Sequence, residues 1–123
     1  MSKQDELQIS PPSADYPFRV GDLIQNTGAV VGHFVSSLPS KNSPNFAKNL
    51  YFATPKIDFV AKNMFIVLWA AELTVNYTKS WYTKRVWVTE VFCGDGRIAY
   101  ILASNDIFKK NFMLISRPEA DHV

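Results

Sequence analysis

The sequence predicts a small, mostly β barrel of about five to seven strands, with a short helical turn before the last strand and an extended N-terminal arm. Three observations carry this. Runs of β-branched and aromatic residues recur between breakers along most of the 123 residues. Val20-Gly21-Asp22-Leu23-Ile24, followed by Gly28-Ala29-Val30-Val31-Gly32-His33-Phe34-Val35, reads as two short strands joined by a tight turn that opens the barrel. Gly94-Asp95-Gly96 supplies residues able to take positive φ, so Cys93 to Arg97 predicts a hairpin turn.

Taken in order, residues 1–17 hold Pro11-Pro12-Ser13 and Tyr16-Pro17 without apolar periodicity and predict an extended arm. A single domain over 18–117 and a short tail at 118–123 complete the expected organisation. Ser36 to Asn49, rich in Pro, Ser and Asn, is longer than the usual connection, and long ordered loops in small domains tend to be functional or ordered by a partner. Leu50-Tyr51-Phe52-Ala53 is a short strand candidate that ends before Thr54-Pro55. Met64 to Ala71 is apolar on both alternating faces and predicts a central strand, while Leu73, Val75 and Tyr77 alternate with Thr74 and Asn76. Arg85 to Phe92 and Ile98 to Leu102 form the strands either side of the hairpin. Ser104-Asn105-Asp106 offers a cap for one helical turn through Phe108-Lys109-Lys110, and Phe112 to Ile115 is the closing strand. The expected core is Ile24, Val31, Phe34, Phe65, Val67, Trp69, Val88, Tyr100, Leu102 and Leu114.

Charge is unevenly spread. Residues 1–15 and 118–123 each carry a net −2, so the overall +2 conceals a body of net +6 over residues 16–117. A basic body is compatible with a polyanion partner, and equally with an ordinary solvated surface. The only cysteine is Cys93, so no intrachain disulfide can form and a reducing compartment is expected. Met1 to Leu7 lacks the apolar segment and cleavage pattern of a signal peptide. The longest apolar run, Met64 to Ala71, falls well short of the roughly 18 to 20 residues that a membrane-spanning helix needs. The expectation is a protein neither secreted nor membrane-spanning.

Catalytic signatures are absent from the pattern. Asp22, Asp58, Glu72, Glu90, Asp95 and Asp106 are scattered, with no pair spaced to set two carboxylates on one strand face. His33, His122 and Cys93 match no metal-ligand spacing, so no metal or cofactor is expected, and His33 reads as a packed or rim histidine. Cys93 has no activating neighbour in the sequence and reads as a small buried residue. The glycines form neither a P-loop nor a dinucleotide-binding run. Asn76-Tyr77-Thr78 is a glycosylation sequon without a secretory context.

One segment combines aromatic and basic residues: Lys79-Ser80-Trp81-Tyr82-Thr83-Lys84-Arg85-Val86-Trp87. Rings that stack on bases, interleaved with cations that hold phosphates, are the logic of single-strand nucleic-acid surfaces. Trp, Tyr and Arg also anchor protein interfaces. Equally, Trp87 packs inward from a strand while the cations are solvated. The candidate contact residues are Lys79, Trp81, Tyr82, Lys84 and Arg85, extended by Lys109 and Lys110.

Val20-Gly21-Asp22-Leu23-Ile24, Gly28 with Val30-Val31-Gly32, Ile66-Val67-Leu68-Trp69 and the closing Phe112-Met113-Leu114-Ile115-Ser116 together resemble SH3-like barrels of the KOW and Tudor kind. The resemblance covers 18–35 and 64–116, and small proteins of tailed bacteriophages often look like this. The chain departs from the simplest such barrels in its acidic arm, its Pro/Asn-rich loop and its extra strand material around 50–60 and 73–77. The resemblance implies a non-enzymatic, protein–protein interaction component of a virion, or an accessory protein in the host-cell cytoplasm. The arm and the long loop, peripheral extensions of the kind that become ordered in assemblies, point to other protein subunits as partners, with no small-molecule substrate and no membrane expected. The alternative is a nucleic-acid-binding module that uses segment 79–87.

Overall fold

The computed structural model describes residues 6–52, 57–60, 62–77 and 82–118. Among these the chain runs β1 (Glu6–Ser10), β2 (Leu23–Asn26), β3 (Val30–Phe34), a 3-10 turn (Val35–Ser37), α1 (Phe46–Phe52), β4 (Ile57–Phe59), β5 (Met64–Tyr77), β6 (Tyr82–Cys93), β7 (Ile98–Ala103), α2 (Asn105–Asn111) and β8 (Phe112–Ser116). One antiparallel sheet in the order β4-β3-β7-β6-β5-β2-β8 curls into a half-barrel. The eighth strand, β1, lies along the second half of β5, from Glu6 opposite Asn76 to Ser10 opposite Glu72.

The curl follows from one short connection. The opening strands form where expected, but they do not pair with each other: β2 pairs with β5 and β8, and β3 with β4 and β7. From Asn26 to Val30 the chain spans at most about 14 Å, whereas four strand spacings between β2 and β3 in a flat sheet come to about 19 Å. The sheet therefore has to bend until β2 and β3 approach. Asn26 fastens this seam. Its fully buried amide donates to the carbonyls of Gly28 (3.1 Å), Phe59 (3.4 Å) and Val60 (2.6 Å), and its Oδ1 accepts from the Asn63 N–H at 2.7 Å. Gly32 lines the same closure, where a Cβ would lie 2.8 Å from the Tyr100 carbonyl and from the Phe59 ring.

Both faces of the sheet are apolar. Inside the curl pack Ile24, Phe65, Val67, Trp87, Val91, Ile101, Phe108 and Phe112. Outside, Leu73, Val75, Val86, Val88 and Tyr100 are covered by Phe46 and Leu50 of α1. Met64 to Tyr77 is a single central strand rather than two, and a bulge between Val67 and Trp69 shifts its register. Before the bulge, Phe65 and Val67 point inside; after it, Leu73 and Val75 point outside.

The outer cover corrects two expectations. Leu50 to Phe52 belongs to α1, not to a strand, because Phe46 and Leu50, four residues apart, share one apolar helix face; Ala53 lies outside the described residues. The stretch Ser36 to Asn49 is thus not free for a partner along its whole length, since it delivers Phe46 onto the sheet. Of the expected core, Ile24, Phe65, Val67, Val88 and Tyr100 are buried, and Phe34, Trp69 and Leu102 are half-buried. Val31 and Leu114 are not core: Val31 faces outward beyond the reach of α1, and Leu114 lies on the outermost strand, leaving them 39% and 40% exposed.

The hairpin forms as predicted. Cys93 donates its N–H to the Arg97 carbonyl at 2.8 Å, and Gly96 takes φ +89°. The Ser104 Oγ caps α2 by accepting from the Ile107 N–H, and α2 leads directly into β8. The N-terminal arm is laid against the domain. Beyond β1, the Tyr16 ring meets Trp87 at 5.0 Å and Phe108 at 5.4 Å, and the Trp87 Nε1–H donates to Ser13 Oγ at 3.3 Å.

Candidate functional site

Among the described residues, the basic aromatic segment divides between the two faces of the sheet. Lys79 and Trp81 lie outside the described residues. Strand alternation sends Tyr82, Lys84 and Val86 to the outer face and Arg85 and Trp87 to the inner one. Trp87 is fully buried, so it takes the packing role. Lys109 belongs with it: its ammonium lies 5.7 Å from the Trp87 ring centroid and 3.2 Å from Asp15 Oδ2. The Ser13 hydroxyl, then Lys109, hold the Asp15 carboxyl below the usual carboxylate range. Lys110 is exposed, and its carbonyl accepts from Thr27 Oγ1.

On the outer face the residues do converge. Tyr82, 57% exposed, stacks on Tyr77 with ring centroids 5.7 Å apart, and the Tyr77 hydroxyl meets that of Tyr51 at 2.6 Å. The Lys84 ammonium sits 5.7 Å from the Tyr51 ring centroid. Tyr51 comes from α1, so the helix misread in the sequence positions this group.

Next to them opens a cleft of about 380 Å³. Val31, Leu50, Val86, Leu102 and Ile107 give it an apolar lining, and Lys84 lines it as well. His33, buried on β3, also lines it. The cleft borders a part of β6 that lacks a second strand: β7 pairing begins only at Trp87 opposite Ala103, so residues 82–86 pair with β5 alone among the described residues. An apolar hollow of this size with a few polar groups at its margin is the usual form of a ligand or side-chain pocket.

The sequence reading missed this cleft because Val31 looked like core and Leu50-Tyr51 like a strand. The recoverable signal was the spacing of Phe46 and Leu50 after Ser43-Pro44-Asn45.

Burial pushes the Cys93 thiol up to about 11, leaving it protonated at neutral pH. Among the described residues no three His, Cys, Asp or Glu side chains gather to hold a metal ion. No helix among them is long and apolar enough to cross a membrane. No protein-family model matches the chain, and comparison with curated proteins and with solved structures finds no match.

Proposed function

We propose that this half-barrel is a non-enzymatic protein-interaction module that receives an extended segment of a partner protein in the outer cleft. The observation that carries the reading is the position of the cleft beside the half-paired stretch of β6, residues 82–86. An added strand there would take up β6 main-chain groups while an alternate apolar side chain enters the hollow. Lys84 at the margin favours an acidic residue in the partner. The setting, a virion or accessory component of a tailed phage, is supported by the sequence resemblance to small phage barrels.

Selection from a random-peptide display library on the purified protein tests this. Extended peptides with an apolar and an acidic position are expected, and Lys84→Glu should abolish their binding while Arg85→Glu, on the opposite face, should not. Peptides insensitive to Lys84→Glu would sink the cleft reading. Single-stranded DNA is the control for the alternative. Tight, salt-sensitive binding lost in Tyr82→Ala would favour nucleic acid.

A further inference from the structure

The seven-strand path has two end strands, and they are treated differently. The β4 edge is three residues long with Asp58 at its centre. Shortness and a central charge are the usual devices that keep an edge from pairing with another chain. The β8 edge has neither. Phe112–Ser116 carries no charge and no proline, and its side away from β2 has no strand partner among the described residues. After buried Phe112, the consecutive residues Met113, Leu114 and Ile115 are 46%, 40% and 42% exposed, so apolar surface is uncovered on both faces of the strand. An edge that faced only its own core would alternate buried and polar instead.

The charge that follows in sequence does not guard the edge. Arg117 is turned back into its own molecule, where Nε and Nη2 donate to the two oxygens of fully buried Asp22 at 3.0 and 2.8 Å, and Nη2 reaches the Pro17 carbonyl at 3.1 Å. A row of apolar residues also crosses the outer face and reaches β8 at Ser116. Leu23, Ile66, Phe92 and Ile98 are mutual register partners across β2, β5, β6 and β7 on the outer face, and the last three are exposed. Phe46 and Leu50 of α1 pack at the other end of this face and leave that row bare.

We infer that β8 is a self-pairing edge: two copies of this chain join their half-barrels by antiparallel pairing of Phe112–Ser116 about a two-fold axis at Leu114. The strand is its own complement in that register. Leu114 meets Leu114, Met113 meets Ile115, and Phe112 meets Ser116, with no like charges opposed. A two-fold perpendicular to the sheet keeps both outer faces on one side, with the bare row of each copy meeting β8 at Ser116 and the two rows offset by four residues along the paired strands. A second copy is favoured over an unlike partner because the edge presents no charge that calls for a complement. No residue of β8 lines the cleft, so either reading can fail without the other.

The test is light scattering and sedimentation of the full chain over about two decades of concentration. The wild type is expected to dimerise, and Leu114→Lys, which sets two ammonium groups opposite each other, should raise the dissociation constant roughly a hundred-fold while circular dichroism is unchanged. Leu114→Cys should give a disulfide-linked dimer by exchange with oxidised glutathione, which takes up the two electrons. Asn42→Cys, exposed in the loop before α1, should not. If Leu114→Lys fails to fold, the cross-link decides. A wild type that stays monomeric throughout, a Leu114→Lys dimer of unaltered affinity, or cross-linking by Asn42→Cys as readily as by Leu114→Cys would overturn the inference.

Discussion

The inner and outer faces of the sheet are both apolar, yet they are buried by opposite means. The inner face closes on itself: strands from both ends of the order meet across Asn26, and Trp87, Phe108 and Phe112 are surrounded by residues from distant parts of the chain. The outer face depends on one short stretch of chain, in which Phe46 and Leu50 of the seven-residue α1 are flanked by Val35 and Leu38. The difference teaches where function can be placed. A surface covered by a single short element has margins, and the cleft and the bare row of Ile66, Phe92 and Ile98 are those margins.

The sharpest way to break the comparison is to truncate one side chain on each face. Trp87→Ala should cost about 3–5 kcal/mol, because it empties the inner cluster and releases the Ser13 and Tyr16 contacts. Hydrogen exchange should then accelerate across the whole sheet. Leu50→Ala should cost about 2–3 kcal/mol, with faster exchange confined to α1 and its neighbours. If the two variants give the same exchange pattern, the faces are not separate units.

A smaller effect is expected at the seam. Replacing Asn26 by Ala strands the Asn63 N–H, removes the amide that donates to the Gly28 and Phe59 carbonyls, and should lower stability by about 1–3 kcal/mol. Unchanged denaturant midpoints would show that the seam is closed by apolar packing alone.

The other end of β2 is fastened by charge, which sharpens the contrast through pH. Burial works against the Asp22 carboxylate, but the Arg117 guanidinium and the Arg19 N–H outweigh it and hold the group below the usual carboxylate range. A carboxylate whose folded pKa is depressed contributes fully above about pH 4 and loses that contribution as acid titrates it through the folded value. Thermal melts should therefore fall as pH drops below about 4, and Asp22→Asn should remove much of that slope while leaving any contribution from Asp15 and Asp95. A slope unaffected by Asp22→Asn would place the acid sensitivity elsewhere. The least effect is expected at Cys93: its raised thiol should react with iodoacetamide at neutral pH only as the fold opens.

What was legible in the sequence was local. The 93–97 hairpin, the Ser104 cap and the strands themselves follow from turn chemistry and composition within a few residues. Pairing was not legible, because Leu23 to Asn26 and Val30 to Phe34 look like a hairpin and only the rest of the sheet sends them to opposite ends. Leu50-Tyr51-Phe52 carries strand-like composition on a helix, since the packing of Phe46 and Leu50 on Val75 and Val88 overrides weak propensity. The face change along β5 depends on a bulge that no residue there announces. Of the candidate site residues, Tyr82 and Lys84 meet beside Tyr51, a contact that needs α1 in place first.

The three-residue link between β2 and β3 also has a consequence in time. Neither strand can pair with its sequence neighbour, so each waits for a distant one: Ile24 for Phe65 and Leu114, Val31 for Asp58 and Leu102. A ribosome delivers roughly 5–20 residues per second, and closure of such long-range pairings is slow in its own right. During synthesis the first strands therefore emerge as unsatisfied edges for seconds before β7 and β8 leave the exit tunnel. Synonymous codons that slow translation between residues 35 and 98 would lengthen that interval.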